Sequence, residues 1–153
     1  MELRVGVEDR ERAQSVWDDL IAIRDATGVL IQQMVEGIEV ILGSTRAGDS
    51  GHLIMFGLGG IYTEVLKDVQ FALAPMAKEE CREMVTGIRG YPILEGLRGQ
   101  QGMSIDLLTD YLKRLGRLVA DFPAINEIDL NPVKGFDTKL YVVDARIIMD
   151  LSE

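Results

Sequence analysis

Residue types that often carry chemistry are scarce in this chain of 153 residues, which has one cysteine and one histidine. A single cysteine, Cys81, allows no disulfide within the chain, so a reducing cytosol is the expected compartment. Cys81 also lies on an apolar helical stripe, which predicts a buried thiol rather than a nucleophile. The lone His52 cannot form a histidine-rich metal site. The sequence therefore excludes a disulfide scaffold and gives no support to thiol or histidine catalysis.

Basic residues are outnumbered and long apolar runs are missing. The chain has 16 Lys and Arg against 25 Asp and Glu, a formal charge of −9, which argues against nonspecific binding to nucleic acid or to anionic membranes. Its start shows no signal peptide, and no apolar run is long enough to span a bilayer. We expect a cytoplasmic protein that binds neither nucleic acid nor a membrane. A nucleotide site stays compatible, because bound Mg²⁺ and a few local basic groups can outweigh the mean charge.

Hydrophobic periodicity predicts an α+β fold of one domain or one lobe. Helices are predicted over about 9–25 with Trp17 in the core, around Cys81, and from an N-cap at Ser104 to Pro123. Because hairpins follow one another without strict βαβ alternation, α+β is the natural class. Strands or extended segments are predicted at 3–7, 29–35, 38–42, 53–56, 63–73, 125–132 and 141–148.

The last two predicted strands carry polar groups where a hairpin usually carries apolar ones. Glu127, Asp129 and Asn131 share one face of the first, and Asp144 and Arg146 share one face of the second. If the register is odd, Asp144 lies opposite either Asp129 or Asn131, so oxygen ligands converge. Mg²⁺ prefers one or two protein carboxylates completed by waters and phosphates. An exposed polar face of an edge hairpin is the simpler interpretation of the same spacing.

Two further segments are compatible with nucleotide chemistry. The loop from Gly57 to Gly60 follows a strand, and glycines let backbone N–H groups approach an anion. It is neither a Walker loop nor a dinucleotide fingerprint, and a tight turn would use the same residues. The break within residues 32–37 exposes backbone that suits an adenine edge, and Glu39 follows it as an acceptor for ribose hydroxyls. A hairpin with a solvated glutamate is the simpler account.

Taken in their order along the chain, these segments resemble the C-terminal part of the ATP-grasp domain of ADP-forming acyl-CoA synthetases of the acetate–CoA ligase type. They are more distantly similar to the β subunit of succinyl-CoA synthetase. The resemblance implies the C-terminal lobe of an ATP-grasp fold, a mostly antiparallel sheet with flanking helices, as a single partial domain over 1–153. The matching stretches are 28–43, 55–69, 73–75, 94–99, 127–132 and 143–147.

The resemblance implies ATP or ADP and Mg²⁺ as cofactors and assigns residues to them. Asn131 and Asp144 match the Mg²⁺-binding pair, and Asp129 is a neighbour that binds directly or through water. Glu39 matches the carboxylate that contacts ribose. The hinge whose backbone meets adenine is matched by Gln33, Met34 and Val35.

Another set of positions is implied to lie beside the transferred phosphoryl group. Arg46 is the basic candidate for a phosphate contact. The family usually has an Asp-Pro and a Phe-Gly-Pro element before the glycine-loop strand, where this chain reads Arg46-Ala-Gly-Asp-Ser-Gly-His52. The stretch 94–99 is a family signature without an evident chemical role. The motif beside the phosphoryl group is matched by Gly57, Gly59, Gly60 and Glu64.

The resemblance implies one share of a larger reaction, in which acid, CoA and ATP interconvert with acyl-CoA, ADP and phosphate through acyl-phosphate and phosphohistidine intermediates. The expected partners are the missing ATP-grasp lobe with its ATP-binding lysine and a CoA-binding domain or subunit, and a homo-oligomer is possible. We expect no turnover from this chain alone. One alternative is the synthetase-like module of a protein acetyltransferase, and another is a non-catalytic module for nucleotide binding or assembly.

Overall fold

The computed structural model of the chain describes residues 2–60, 68–97 and 101–150. Contacts divide the chain into two units, Met1–Met34 and Val35–Glu153. Within the described ranges, no helix is long and apolar enough to cross a membrane. The two units are taken in turn.

The first unit contains one helix, α1 (Arg10–Ile21), whose N-cap Asp9 accepts a hydrogen bond from the Arg12 N–H at 2.7 Å. The prediction of Trp17 as a core residue is wrong, since its side chain is 41% exposed and lines a cleft of about 330 Å³. The described segments 3–7 and 29–35 form no strand, contrary to prediction. A strand needs a paired neighbour, and Leu30 and Ile31 remain 82% and 79% exposed.

The second unit is built on a six-stranded antiparallel sheet in the order β3-β2-β1-β4-β5, with β6 also paired to β4. The strands predicted at 38–42, 53–56 and 125–132 are present and longer than predicted. Of the extended segment predicted over 63–73, residues 69–73 form a strand and residues 63–67 lie outside the described residues. The strands are β1 (Ile38–Arg46), β2 (His52–Leu58), β3 (Val69–Leu73), β4 (Ile125–Phe136), β5 (Lys139–Val142) and β6 (Ala145–Met149).

The core of this unit lies between one face of the sheet and its helices. Leu42, Phe56 and Val133 from three neighbouring strands are fully buried there. The described residues of this unit form the α-helices α2 (Lys78–Thr86), α3 (Tyr91–Leu94) and α4 (Ile105–Asp121). Ser104 caps α4 as predicted, accepting from the Leu107 N–H at 3.2 Å. Cys81 is buried in the same core, and burial raises the pKa of its thiol. The α+β prediction is thus confirmed, and polar side chains such as Glu39 take the opposite face.

The predicted hairpin differs from expectation in one respect. Its second strand, predicted to run unbroken over 141–148, is divided into β5 and β6 by Val143 and Asp144, which belong to neither strand. On the other side of β4, the register with β1 shifts between Val40 and Leu42. Both irregularities lie next to Asn131 of β4. At this point neither neighbour of β4 keeps a regular one-to-one pairing with it. Such irregularities are common beside functional sites.

Candidate functional site

A cavity of about 690 Å³ opens in the second unit where β1 begins and β2 ends. We call it the Glu39 cavity. Its lining combines the turn before β1, the start of the glycine loop and the end of β4. Residues that line it include Glu36, Gly37, Glu39, Gly59, Gly60 and Phe136.

Glu39 is held in this cavity by an ion pair across two strands. It lies opposite Lys134 in the register of β1 with β4, and the Lys134 Nζ is 2.8 Å from the Glu39 Oε1. The side chains are 33% and 23% exposed, so salt screens the pair less than it would a surface pair. The sequence interpretation missed Lys134. The signal was present, because it is the one basic residue in the stretch 125–136.

The glycine loop lies close to both the backbone and the side chain of Glu39. The Gly59 N–H donates to the Glu39 carbonyl at 2.8 Å, and a Cβ on Gly59 would lie 3.0 Å from the carbonyl carbon of Glu39. Gly60 has φ +64°, and its Cβ would lie 2.9 Å from the Glu39 Oε2. Close contact with the Glu39 backbone therefore favours glycine at position 59, whereas at position 60 the positive φ favours it, and the exposed Gly60 backbone lies next to the carboxylate.

Gly57, the first glycine of the predicted motif, is favoured for a different structural reason. It lies within β2, and a Cβ there would meet the Val69 Cγ1 at 2.7 Å and the Asp68 carbonyl at 2.8 Å. The structure thus brings Gly59 and Gly60 to the cavity and leaves Gly57 in the packing between β2 and β3. Glu64 lies outside the described residues.

Asp68, which follows the glycine-loop segment, anchors its far end. The side chain is 8% exposed, and its two oxygens accept from the backbone N–H groups of Arg89 and Gly90 at 2.8 and 2.6 Å. A Cβ on Gly90 would lie 2.1 Å from the Leu58 Cδ1, so this turn packs directly under the residue before Gly59. Asp68 therefore ties the turn between α2 and α3 to the start of β3.

Replacing Asp68 with alanine is expected to lower the free energy of unfolding by about 2 kcal/mol, because two backbone donors in a buried turn lose a charged acceptor. Urea unfolding measures this loss. Asp106→Ala is the matched control, since its carboxylate is largely exposed and pairs with Arg82 at the surface; it should change the value by less than about 1 kcal/mol. Equal effects of the two substitutions would contradict the anchoring role.

The predicted metal residues meet at the break between β5 and β6. Asp129 pairs with Arg146, and one residue pair beyond Leu130 the Asn131 N–H donates to the Asp144 carbonyl at 3.2 Å. Of the two residues that the sequence allowed opposite Asp144, Asp129 and Asn131, the structure therefore selects Asn131. Arg146, the cross-strand partner of Asp129, forms an ion pair with Glu127.

The chemistry of this pair fits a hard cation. Asn131 and Asp144 are both exposed and offer one amide oxygen and one carboxylate, the ligand types that Mg²⁺ takes while keeping waters and phosphates. Among residues 2–60, 68–97 and 101–150, no group of three or more His, Cys, Asp or Glu could hold a metal ion. The residues present therefore suit Mg²⁺ that arrives with a phosphate ligand.

One predicted residue of the second unit, Arg46, does not line the Glu39 cavity. Arg46 is exposed at the opposite end of β1, seven residues from Glu39, a separation of roughly 23 Å along a strand. It pairs in register with His52, whose buried Nε2–H donates to the Ile125 carbonyl at 2.6 Å in a structural role. Gln33 and Met34 belong to the first unit and Val35 begins the second.

Leu94, the first residue of the family signature 94–99, follows the cavity residue Ile93 directly. Leu94 is fully buried, and its carbonyl accepts from the Met103 N–H at 2.8 Å. Ile93 and Gln101, on either side of the signature, line the cavity. The described part of the signature thus has a structural role at the cavity rim, and residues 98–100 lie outside the described ranges.

Residues 3–149 match the ATP-grasp domain family. The chain is 48% identical over 123 residues to acetate–CoA ligase (ADP-forming) I of Archaeoglobus fulgidus, covering 80% of this chain and 18% of that protein. It is 44% identical over 126 residues to the beta subunit of acetate–CoA ligase (ADP-forming) I of Pyrococcus furiosus, covering 82% and 54%. The chain thus spans between about a fifth and about half of these relatives.

Solved structures of acetyl-coenzyme A synthetase 1 from Ca. Korarchaeum cryptofilum are also similar. The apo form matches with a TM-score of 0.81 and 35% identity, covering 91% of this chain and 66% of that one. A complex with coenzyme A and Mg-AMPPCP matches with a TM-score of 0.72 and 38% identity, covering 76% and 55%. The chain therefore belongs to the ATP-grasp domain family, in the form found in ADP-forming acetate–CoA ligases.

Proposed function

We propose that this chain is the nucleotide- and Mg²⁺-binding lobe of an ADP-forming acyl-CoA synthetase. The observation that carries the proposal is the Glu39 cavity, where a carboxylate held by Lys134 borders the backbone of Gly59 and Gly60. A ribonucleotide needs this combination of an acceptor for its hydroxyl groups and, at the exposed Gly60, backbone that no side chain covers. A relative's structure with coenzyme A and Mg-AMPPCP supports the same ligand class.

Each part of the lobe has a share in binding. Glu39 accepts hydrogen bonds from the ribose hydroxyls, and the backbone of Gly59 and Gly60 lies beside the phosphates. Asn131 and Asp144 hold Mg²⁺, which when bound supplies positive charge against the phosphate oxygens. The lobe contributes through positioning and electrostatic stabilisation, the main sources of catalysis in phosphoryl transfer. Glu64 and the hinge from Gln33 to Val35 keep their predicted roles in the proposal.

In the proposed enzyme, a complementary ATP-grasp lobe and a CoA-binding domain or subunit complete the site, as a relative named as a beta subunit suggests. The overall reaction converts a carboxylic acid, CoA and ATP into acyl-CoA, ADP and phosphate. Relatives named for acetate, 4-hydroxybutyrate and trans-ferulate match this stretch. The proposal therefore assigns the choice of acid to other parts of the enzyme.

Calorimetric titration with ADP, with and without Mg²⁺, tests this function. We expect binding that Mg²⁺ strengthens at least about tenfold, because the metal offsets phosphate charge beside an acidic protein. Adenosine is the matched ligand control, since it lacks phosphates and should show no dependence on Mg²⁺. A lack of metal-dependent nucleotide binding with the complementary lobe present would contradict the proposal.

A further inference from the structure

We infer that Lys134 is a positioning residue of the nucleotide site, which holds one oxygen of Glu39 so that the other is presented to ribose hydroxyls. The inference rests on the proposed function and adds to it the residue that sets the preference for ribonucleotides. Lys134 lies outside every motif that the sequence interpretation associated with nucleotides.

The first step is the rigid geometry of the pair. Glu39 and Lys134 are direct cross-strand partners of β1 and β4, and strands inside a sheet hold their Cα atoms in place. Their side chains meet at 2.8 Å between Lys134 Nζ and Glu39 Oε1. Because both side chains are well over half buried, the pair persists at salt concentrations that screen surface pairs.

The second step concerns the other oxygen of Glu39. Oε2 lies on the side of the glycine loop, 2.9 Å from where a Cβ on Gly60 would be. In the part of the chain that the structure describes, Lys134 is the one side chain that forms an ion pair with Glu39, and that pair is made through Oε1. The two oxygens therefore have separate tasks, anchoring by Oε1 and an acceptor at Oε2 that faces the cavity.

The third step is electrostatic. The chain carries a formal charge of −9, Glu36 lines the same cavity, and the ligand brings further negative charge. Without a cation beside it, Glu39 would repel the phosphates and rotate away from the ribose. Lys134 offsets that charge and restricts the carboxylate to one orientation, because a short charge-assisted hydrogen bond is directional.

The test compares ADP with 2′,3′-dideoxy-ADP, both with Mg²⁺, by calorimetry on the intact protein with the complementary lobe present. The readout is the ratio of the two dissociation constants for one variant, which reports only the ribose hydroxyls. Partial misfolding lowers the amount of active protein for both ligands alike, so it cancels in this ratio. A purely structural role of Lys134 would leave the ratio unchanged.

We expect Lys134→Met to reduce the preference for ADP at least about fivefold, because Glu39 loses its fixed orientation. Lys134→Arg should retain the preference, since a guanidinium also donates to Oε1. Glu39→Gln, which removes the carboxylate charge that Lys134 anchors, should reduce it to a similar extent. Lys113→Met is the matched control, because it removes the same charge from an exposed position on α4.

The outcomes separate this inference from the proposed function. If the wild-type protein binds no Mg·ADP, the proposed function fails and this inference fails with it. If the wild type binds Mg·ADP and prefers it to the dideoxy analogue, but Lys134→Met keeps that preference, only the role of Lys134 is overturned. A wild type that binds both nucleotides equally overturns the ribose contact of Glu39 and the role of Lys134, while leaving nucleotide binding intact.

Discussion

Replacing Asp144 with alanine is expected to abolish the metal-dependent part of nucleotide binding. Asp144 supplies the carboxylate of a two-residue oxygen set with Asn131, and its removal leaves that pair without a charged ligand for Mg²⁺. In calorimetric titrations, Mg²⁺ should then strengthen ADP binding by less than about twofold. Binding of ADP without metal should persist, because Glu39 and the glycine loop are untouched.

The control for this substitution is Asp121→Ala, which removes the same charge from the end of α4, where Asp121 pairs with Arg117 at the surface. It should leave the effect of Mg²⁺ intact. A metal effect of wild-type size in Asp144→Ala would show that the ion is held elsewhere. Asp129→Ala then serves as the next variant, because Asp129 is the neighbour predicted to bind directly or through water.

Replacing Gly102 with alanine is expected to cost about 3 kcal/mol in the free energy of unfolding, since the new methyl group would collide with backbone. Its Cβ would lie 2.4 Å from the carbonyl carbon and oxygen of Glu95 and 2.5 Å from the Leu94 carbonyl oxygen. The Gly102 carbonyl also accepts from the Asp137 N–H at 2.6 Å. Relief would require the backbone of Leu94 and Glu95 to move apart from residue 102.

Gly43→Ala is the matched control for urea unfolding of the same unit. A Cβ on Gly43 would lie 3.4 Å from its nearest neighbours, the Ile128 carbonyl oxygen and the Met55 Cε, which is ordinary contact distance. Alanine also suits a strand interior at least as well as glycine, so a change of less than about 1 kcal/mol is expected. Similar losses in the two variants would refute the close packing at Gly102.

The elements predicted best were those whose signals are local. The long helix α4 begins one residue after its predicted cap and ends before Pro123, because capping, periodicity and the terminating proline all agree. The hairpin sequence limited the partner of Asp144 to two residues, and the structure selected Asn131. A local pattern thus defines the candidates for a contact, while the choice among them depends on register.

What could not be predicted depends on contacts between distant parts of the chain. The pairing of Glu39 with Lys134 requires knowledge that β1 and β4 are neighbours, although nearly a hundred residues separate them. Residues 29–35 have the composition of a strand, yet a strand forms only where a neighbour offers hydrogen bonds. Its charge and its closeness in sequence to the loop make Arg46 the candidate for a phosphate contact, but the length of β1 places it away from the cavity.

The hydrogen bond from the Gly59 N–H to the Glu39 carbonyl has a thermodynamic consequence. It joins the start of the glycine loop to the same residue whose carboxylate is proposed to bind ribose. A ligand that favours the bonded arrangement over an open one stabilises the bond by a certain free energy. By reciprocity, formation of the hydrogen bond makes the free energy of ligand binding more favourable by the same amount. The affinity gained through the ribose contact and the ordering of the glycine loop beside the phosphates then report the same coupling free energy.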